Sequence, residues 1–111
     1  MPDQERRSYQ RFDIQIPVEY KFAAFQDQTT QTSSLDISAN GLRFRIKERP
    51  MIGDEVHLIV GLPAEQKIKL AAKVVWSKAI ENNEYDVGVK LVDTKSKDGK
   101  IFMDFYAQQL L

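Results

Sequence analysis

The sequence predicts a mainly β domain, an antiparallel barrel or sandwich of five or six short strands, with a flexible N-terminal arm before it and one C-terminal α-helix after it. Three observations carry this expectation. Most of the chain alternates apolar and polar residues with the period of two that makes a half-buried strand. Clusters of turn residues cut that alternation into short runs with tight connections, the spacing of a barrel or sandwich. The tail then changes to helical spacing. At 111 residues, 42% of them hydrophobic, the chain fits one domain around one core and leaves no room for a second.

The elements follow in order. Residues 1–12 form the arm, whose stretch "ERRSYQRF" places three arginines within six residues. It is polar and keeps like charges adjacent at Arg6 and Arg7, so little holds it on a folded body. In "FDIQIPVEYKF" the residues Phe12, Ile14, Ile16, Val18, Tyr20 and Phe22 alternate with mostly polar neighbours. This is a half-buried strand, and Pro17 favours its edge or its start. The polar stretch "QDQTTQTSS" has two readings, a turn flanked by strand or a solvated β-ribbon to which its threonines are suited.

After Gly41 the alternation is regular: Leu42, Phe44 and Ile46 point one way, Arg43, Arg45 and Lys47 the other. "RPMIGDE" supplies a turn. Three further runs, "EVHLIV", "IKLAAKVVW" and "YDVGVKLV", are separated by the breakers "GLPAEQ" and "ENNE". Residues 13–94 thus hold the strands. In the tail, residues 95–111, Ile101, Phe102, Phe105, Tyr106 and Leu110 fall on one helical stripe, with Ser96 or Asp98 as the cap.

Composition excludes several functions. Lysine and arginine total 16, as do aspartate and glutamate, a formal net charge of zero. General nucleic-acid binding normally needs a basic surface. The absence of cysteine excludes disulfides and thiolate metal sites. His57 is the only histidine, which rules out a two-histidine metal site and leaves a Ser38–Asp36 triad unsupported. Glu81, Glu84 and Asp86 cluster at a hairpin, where a solvated turn explains them better than an acid–base pair. With no apolar signal core and no run of the roughly 18 apolar residues a membrane span needs, a soluble, cytoplasmic protein is expected.

Two places remain. Arg7 and Arg11 make an RxxxR, and Asp36, Ser38 and Gly41 in "LDISANGLRF" make a DxSxxG. Each alone is a weak pattern, since exposed arginines are commonly solvated and aspartate, serine and glycine commonly build turns. Their order and separation, followed by the strand series and the late "VGVKL", resemble the PilZ domain family from about Arg6 to about Leu91. Leu91 stands where many members carry phenylalanine, a difference that bears on packing more than on a ligand.

The resemblance implies a six-stranded β-barrel that binds the bacterial second messenger cyclic di-GMP, with the tail helix that many members carry. It implies a binding module, not an enzyme. Arg6, Arg7, Arg11, Asp36, Ser38 and Gly41 become the ligand residues, and no other cofactor or metal is expected. Their chemistry suits the ligand. Guanine presents O6 and N7 as paired acceptors, and an arginine fork meets them, or a phosphodiester, bidentately. Asp36 can accept from guanine N–H groups, Ser38 can donate or accept, and Gly41 allows a close approach that a Cβ would forbid.

Arg43 is open between reaching a phosphate and keeping the strand soluble, whereas Arg45 reads as solvated. Trp76 reads as a core or rim aromatic, with purine stacking as its alternative. In the family a basic residue before RxxxR tends to accompany a stacked pair of ligands, so Arg6 raises the expectation of two cyclic di-GMP molecules per chain. Being nearly all domain, the chain is expected to signal through an unidentified protein partner, self-association or a host complex. The alternatives are a ligand-blind PilZ-like adaptor and a barrel for single-stranded nucleic acid.

Overall fold

Each alternating run becomes a strand whose apolar face turns inward. The computed structural model describes residues 11–23 and 29–111. Its strands are β1 (Pro17–Phe22), β2 (Thr30–Ser38), β3 (Gly41–Ile46), β4 (Glu55–Leu62), β5 (Gln66–Ala79) and β6 (Tyr85–Leu91), followed by the helix α1 (Lys97–Gln108). They close into an antiparallel barrel in the order β1-β2-β3-β6-β5-β4. Closure leaves no unpaired sheet edge.

Val18, Tyr20 and Phe22 from β1, Leu42, Phe44 and Ile46 from β3, and Val87, Val89 and Leu91 from β6 all face the core. That core is of aliphatic and aromatic side chains throughout. The polar stretch before Leu35 becomes β2 from Thr30 onward, with alternating exposed positions at its start. Both readings of the stretch place strand here, and residues 24–28, where a turn would fall, lie outside the described residues.

Two departures from regular pairing matter later. The β2–β3 register shifts between Ser34 and Asp36, and the β5–β6 register shifts between Val74 and Trp76. Each is a bulge, which leaves one residue unpaired and turns the next to the other face.

The first alternating run is shorter than expected, beginning as a strand only at Pro17. Ahead of it, Phe12 makes an isolated bridge with Ile37. The interruption has a local cause: the Ser34 hydroxyl donates to the Ile14 carbonyl and accepts from the Ile16 N–H. A side chain thus takes bonds that a ladder would otherwise make.

The helix starts where the cap residues indicated. Ser96 is the N-cap, its Oγ accepting from the Gly99 N–H at 3.0 Å. Asp98 instead accepts from the Lys69 N–H at 2.8 Å, tying the first turn to β5. Phe102 and Tyr106 are buried, and Ile101 and Phe105 pack partly against the core. Burying one such side chain is worth about 1.5–3 kcal/mol, so packing outweighs a cap of about 1 kcal/mol in holding the helix. Leu110 departs from the predicted stripe, lying past the last turn and 56% exposed.

Tyr20 sets a testable alkaline limit. Its ring is buried beside Phe44, and its hydroxyl donates to Glu48 Oε1 at 2.8 Å. Burial, aided by the Glu48 hydrogen bond, pushes the phenol up to about 12. The folded chain then holds this proton more tightly than the unfolded chain, whose tyrosine has a pKa of about 10. The stability from Tyr20 is fully present below about pH 10 and is lost as pH rises through about 12. Urea midpoints should fall more steeply with pH across this window in the parent than in Tyr20→Phe. Equal slopes would exclude Tyr20 as the cause.

Candidate functional site

Four neighbouring strands place one outward residue each in a single cross-strand row. Asp36 on β2 pairs with Arg43 on β3, Arg43 pairs with Gly88 on β6, and Gly88 pairs with Trp76 on β5. The two bulges make this row. Without them, Leu35 would face Arg43 and Val75 would face Gly88, because an unbroken register keeps strict alternation.

Asp36 is the buried charge at one end, its side chain only 3% exposed. It has two guanidinium partners: Arg11 Nη1 lies 3.0 Å from Oδ1, and Arg43 Nε donates to Oδ2 at 2.7 Å. These charge-assisted hydrogen bonds offset the desolvation that a lone buried carboxylate would suffer. The Asp36 hydrogen bond in turn holds the Arg43 guanidinium above its already high ordinary value.

At the other end the Arg43 guanidinium carbon stands 5.5 Å from the centre of the Trp76 ring. This is cation–π range. Gly88 lies between them with no side chain of its own. A Cβ there would touch Trp76 Cε3 at 3.5 Å and Arg43 Cγ at 3.6 Å, so the glycine keeps the floor low. Arg11, Arg43, Trp76 and Gly88 line a groove of about 460 Å³, with exposed Val75 at its rim.

Ser38 and Gly41 sit at one end of the β2–β3 hairpin. Asp36 and Ser38 are strand residues, and only Ala39 and Asn40 form the turn, so the DxSxxG spans two strands instead of sitting within one turn. Ser38 is buried, its hydroxyl 3.3 Å from Asn40 Oδ1 and 3.4 Å from the Gly41 carbonyl. Gly41 is held to its place by β6: a Cβ would lie 2.1 Å from the Val89 carbonyl oxygen. The close approach it permits is therefore to a neighbouring strand.

The structure thus brings Arg11, Asp36, Arg43 and Trp76 together, with Ser38 and Gly41 at the adjoining turn. Arg6 and Arg7 lie outside the described residues. Phe12, the last residue of the predicted arm, exchanges two 3.0 Å backbone hydrogen bonds with Ile37 and packs its ring 5.6 Å from that of Tyr106. This contact places Arg11 beside Asp36. Trp76 is 39% exposed on the outer wall and not in the core.

Arg45 lies outside the row and is an exposed partner of Asp86, with Nε at 2.8 Å from Oδ1. That hydrogen bond raises its guanidinium further. Gly88 and the bulges are the parts sequence reasoning missed. Their signals were present, a glycine inside a strand and the apolar run Val74, Val75, Trp76 that breaks the period.

Grooves of similar size occur elsewhere, one of about 420 Å³ lined by Lys21, His57, Ile59 and Lys69, another of about 440 Å³ beside Arg45. Neither gathers a buried charge with convergent donors, so size does not select the site. Among the described residues no group of acidic, histidine or cysteine side chains is placed to hold a metal ion. No described helix is long and apolar enough to cross a membrane.

Comparison with known proteins gives this geometry a context. The architecture is shared with the Bacillus subtilis inhibitor of motility (MotI/DgrA), at TM-score 0.76 and 20% identity over 99% of this chain and 56% of that one. It is shared with the PilZ domain of Escherichia coli YcgR with c-di-GMP, at 0.68 and 12% identity over 93% and 90%. The K. pneumonia MrkH–c-di-GMP complex matches at 0.72 and 13% identity, over 95% and 51%. The chain therefore spans about half the length of the MotI and MrkH chains it matches. At such identities the likeness shows the fold. No curated protein sequence matches the chain. The PilZ domain model does match, over residues 5–108, which takes in both motifs, all six strands and α1, and the chain belongs to the PilZ domain family.

Proposed function

We propose that this chain is a cyclic di-GMP receptor whose ligand lies against the row of Asp36, Arg43, Gly88 and Trp76 and is closed over by the arginine-bearing arm. The observation that supports it most is the delivery of Arg11 to the buried Asp36 at 3.0 Å, which puts donor and acceptor groups for a guanine at one end of an open groove. The ligand bears two phosphodiester charges. Arg11 and Arg43 less Asp36 leave the described groove with a single formal positive charge, so one further charge, that of Arg7, completes neutralisation of one ligand.

Ligand-dependent closure of the arm would alter the adjacent surface and pass the signal to a partner protein. A calorimetric titration with cyclic di-GMP tests the reading. Saturable binding that persists in moderate salt supports it. Absence of heat with cyclic di-GMP, or tighter binding to a single-stranded oligonucleotide, overturns it.

Two stacked ligands per chain are the finer reading, with Arg6 relieving the repulsion of four phosphodiesters and stacking on an outer guanine. The parent chain should then bind two molecules, and Arg6→Leu should bind one with a shallower salt dependence. A stoichiometry of one in the parent, or of two in both, would remove Arg6 from this role.

A further inference from the structure

Asp36 is held by its two arginines unequally. Arg43 reaches Oδ2 through two nitrogens, Nε and a terminal nitrogen, while the face of its guanidinium is backed by Trp76. Its backbone sits mid-strand in β3, paired to β2 on one side and β6 on the other. Arg11 makes one contact, Nη1 to Oδ1, with 43% of its side chain exposed. Its backbone precedes an isolated bridge at Phe12. One guanidinium is thus clamped by β2, β3 and β5, and the other rests against the carboxylate from outside.

We propose that Arg43 is the resident counter-ion of Asp36, a positioning residue that keeps the buried carboxylate paired and so frees Arg11 to exchange from Asp36 onto the ligand. The inference rests on the reading of this groove as a cyclic di-GMP site. A buried charge that loses its last partner is strongly destabilised. With Arg43 in place, departure of Arg11 leaves Asp36 still holding two charge-assisted contacts. Without Arg43, Arg11 becomes the sole counter-ion, and the ligand must compete with an ion pair the fold cannot release. The Trp76 face keeps Arg43 from following Arg11 outward.

The test uses the full chain with cyclic di-GMP in a calorimeter. Arg43→Gln should lose affinity by about tenfold or more, because only the fraction of molecules with Arg11 released is competent to bind. Arg43→Lys, which restores the charge but not the fork, should recover to within about threefold of the parent. A second arm needs no ligand: urea denaturation of Arg11→Ala, Arg43→Gln and the double variant should show the double variant destabilised by more than the sum of the single ones, since only it leaves Asp36 unpaired.

Parent-like affinity in Arg43→Gln overturns the inference while leaving the ligand reading intact. Arg43→Lys as weak as Arg43→Gln overturns it too, because the loss would then come from a contact that only the guanidinium fork makes and not from the charge that pairs Asp36. If the parent does not bind cyclic di-GMP, the ligand reading fails on its own, and the denaturation cycle alone judges the counter-ion role. Additive single effects there overturn it.

Discussion

Arg11→Ala and Arg7→Ala are each expected to lower cyclic di-GMP affinity by about 5- to 150-fold, the equivalent of one bidentate guanine contact of about 1–3 kcal/mol. A guanidinium that also holds a phosphodiester would make the drop larger. The barrel should survive both changes. Arg11 is partly exposed, and Asp36 keeps Arg43 when it is removed, so no buried charge is orphaned. Arg7 lies outside the described residues and takes no part in the buried contacts of the barrel described above. Unchanged affinity in both variants, with intact circular dichroism, would sink the assignment of the arm to the ligand.

Gly41→Ala should cost stability on a larger scale. The added Cβ would stand 2.1 Å from the Val89 carbonyl oxygen and 3.2 Å from its carbon, and both atoms are backbone in the β3–β6 pairing. No rotamer change relieves that clash, so the two strands must part where Gly41 pairs with Lys90 and Leu42 with Val89. Overpacking costs typically 1–3 kcal/mol, and a backbone clash of this depth belongs at about 3 kcal/mol or above, a large share of an ordinary domain's stability.

Gly61→Ala provides the control, since a Cβ there meets Pro17 side-chain atoms at 3.5 Å, an ordinary contact. It should be neutral or mildly stabilising, because alanine loses less backbone freedom than glycine on folding. Urea denaturation that ranks Gly41→Ala level with Gly61→Ala would refute the steric account.

Much of the fold was legible because it depends on local pattern. Alternation located β1 and β3 and told their inner faces from their outer ones, three further runs marked β4, β5 and β6, and Ser96, one of the two caps expected, starts α1. The misses have physical causes. Phe12 to Ile16 read as strand, but the Ser34 hydroxyl takes two of the backbone partners there. Leu110 read as part of the buried stripe, but the helix ends before it. Of the two places read for Trp76, core or rim, only the core is excluded, because the bulge at Val75 turns it outward to the groove.

The guanine and phosphate reading of the two motifs rests on their family resemblance, while the sequence by itself determined a mainly β structure with a tail helix and the exclusion of thiolate chemistry. These follow from composition and from periods of two and 3.6, which a residue and its near neighbours set between them. Only the tertiary structure decided which outward side chains share a groove. Asp36, Arg43, Gly88 and Trp76 stand as far as 52 positions apart in the chain, and they align through the register of three strand pairings and two single-residue shifts. A shift of one residue turns a side chain to the other face. Closure of the whole barrel sets that register, and no short stretch of sequence contains it.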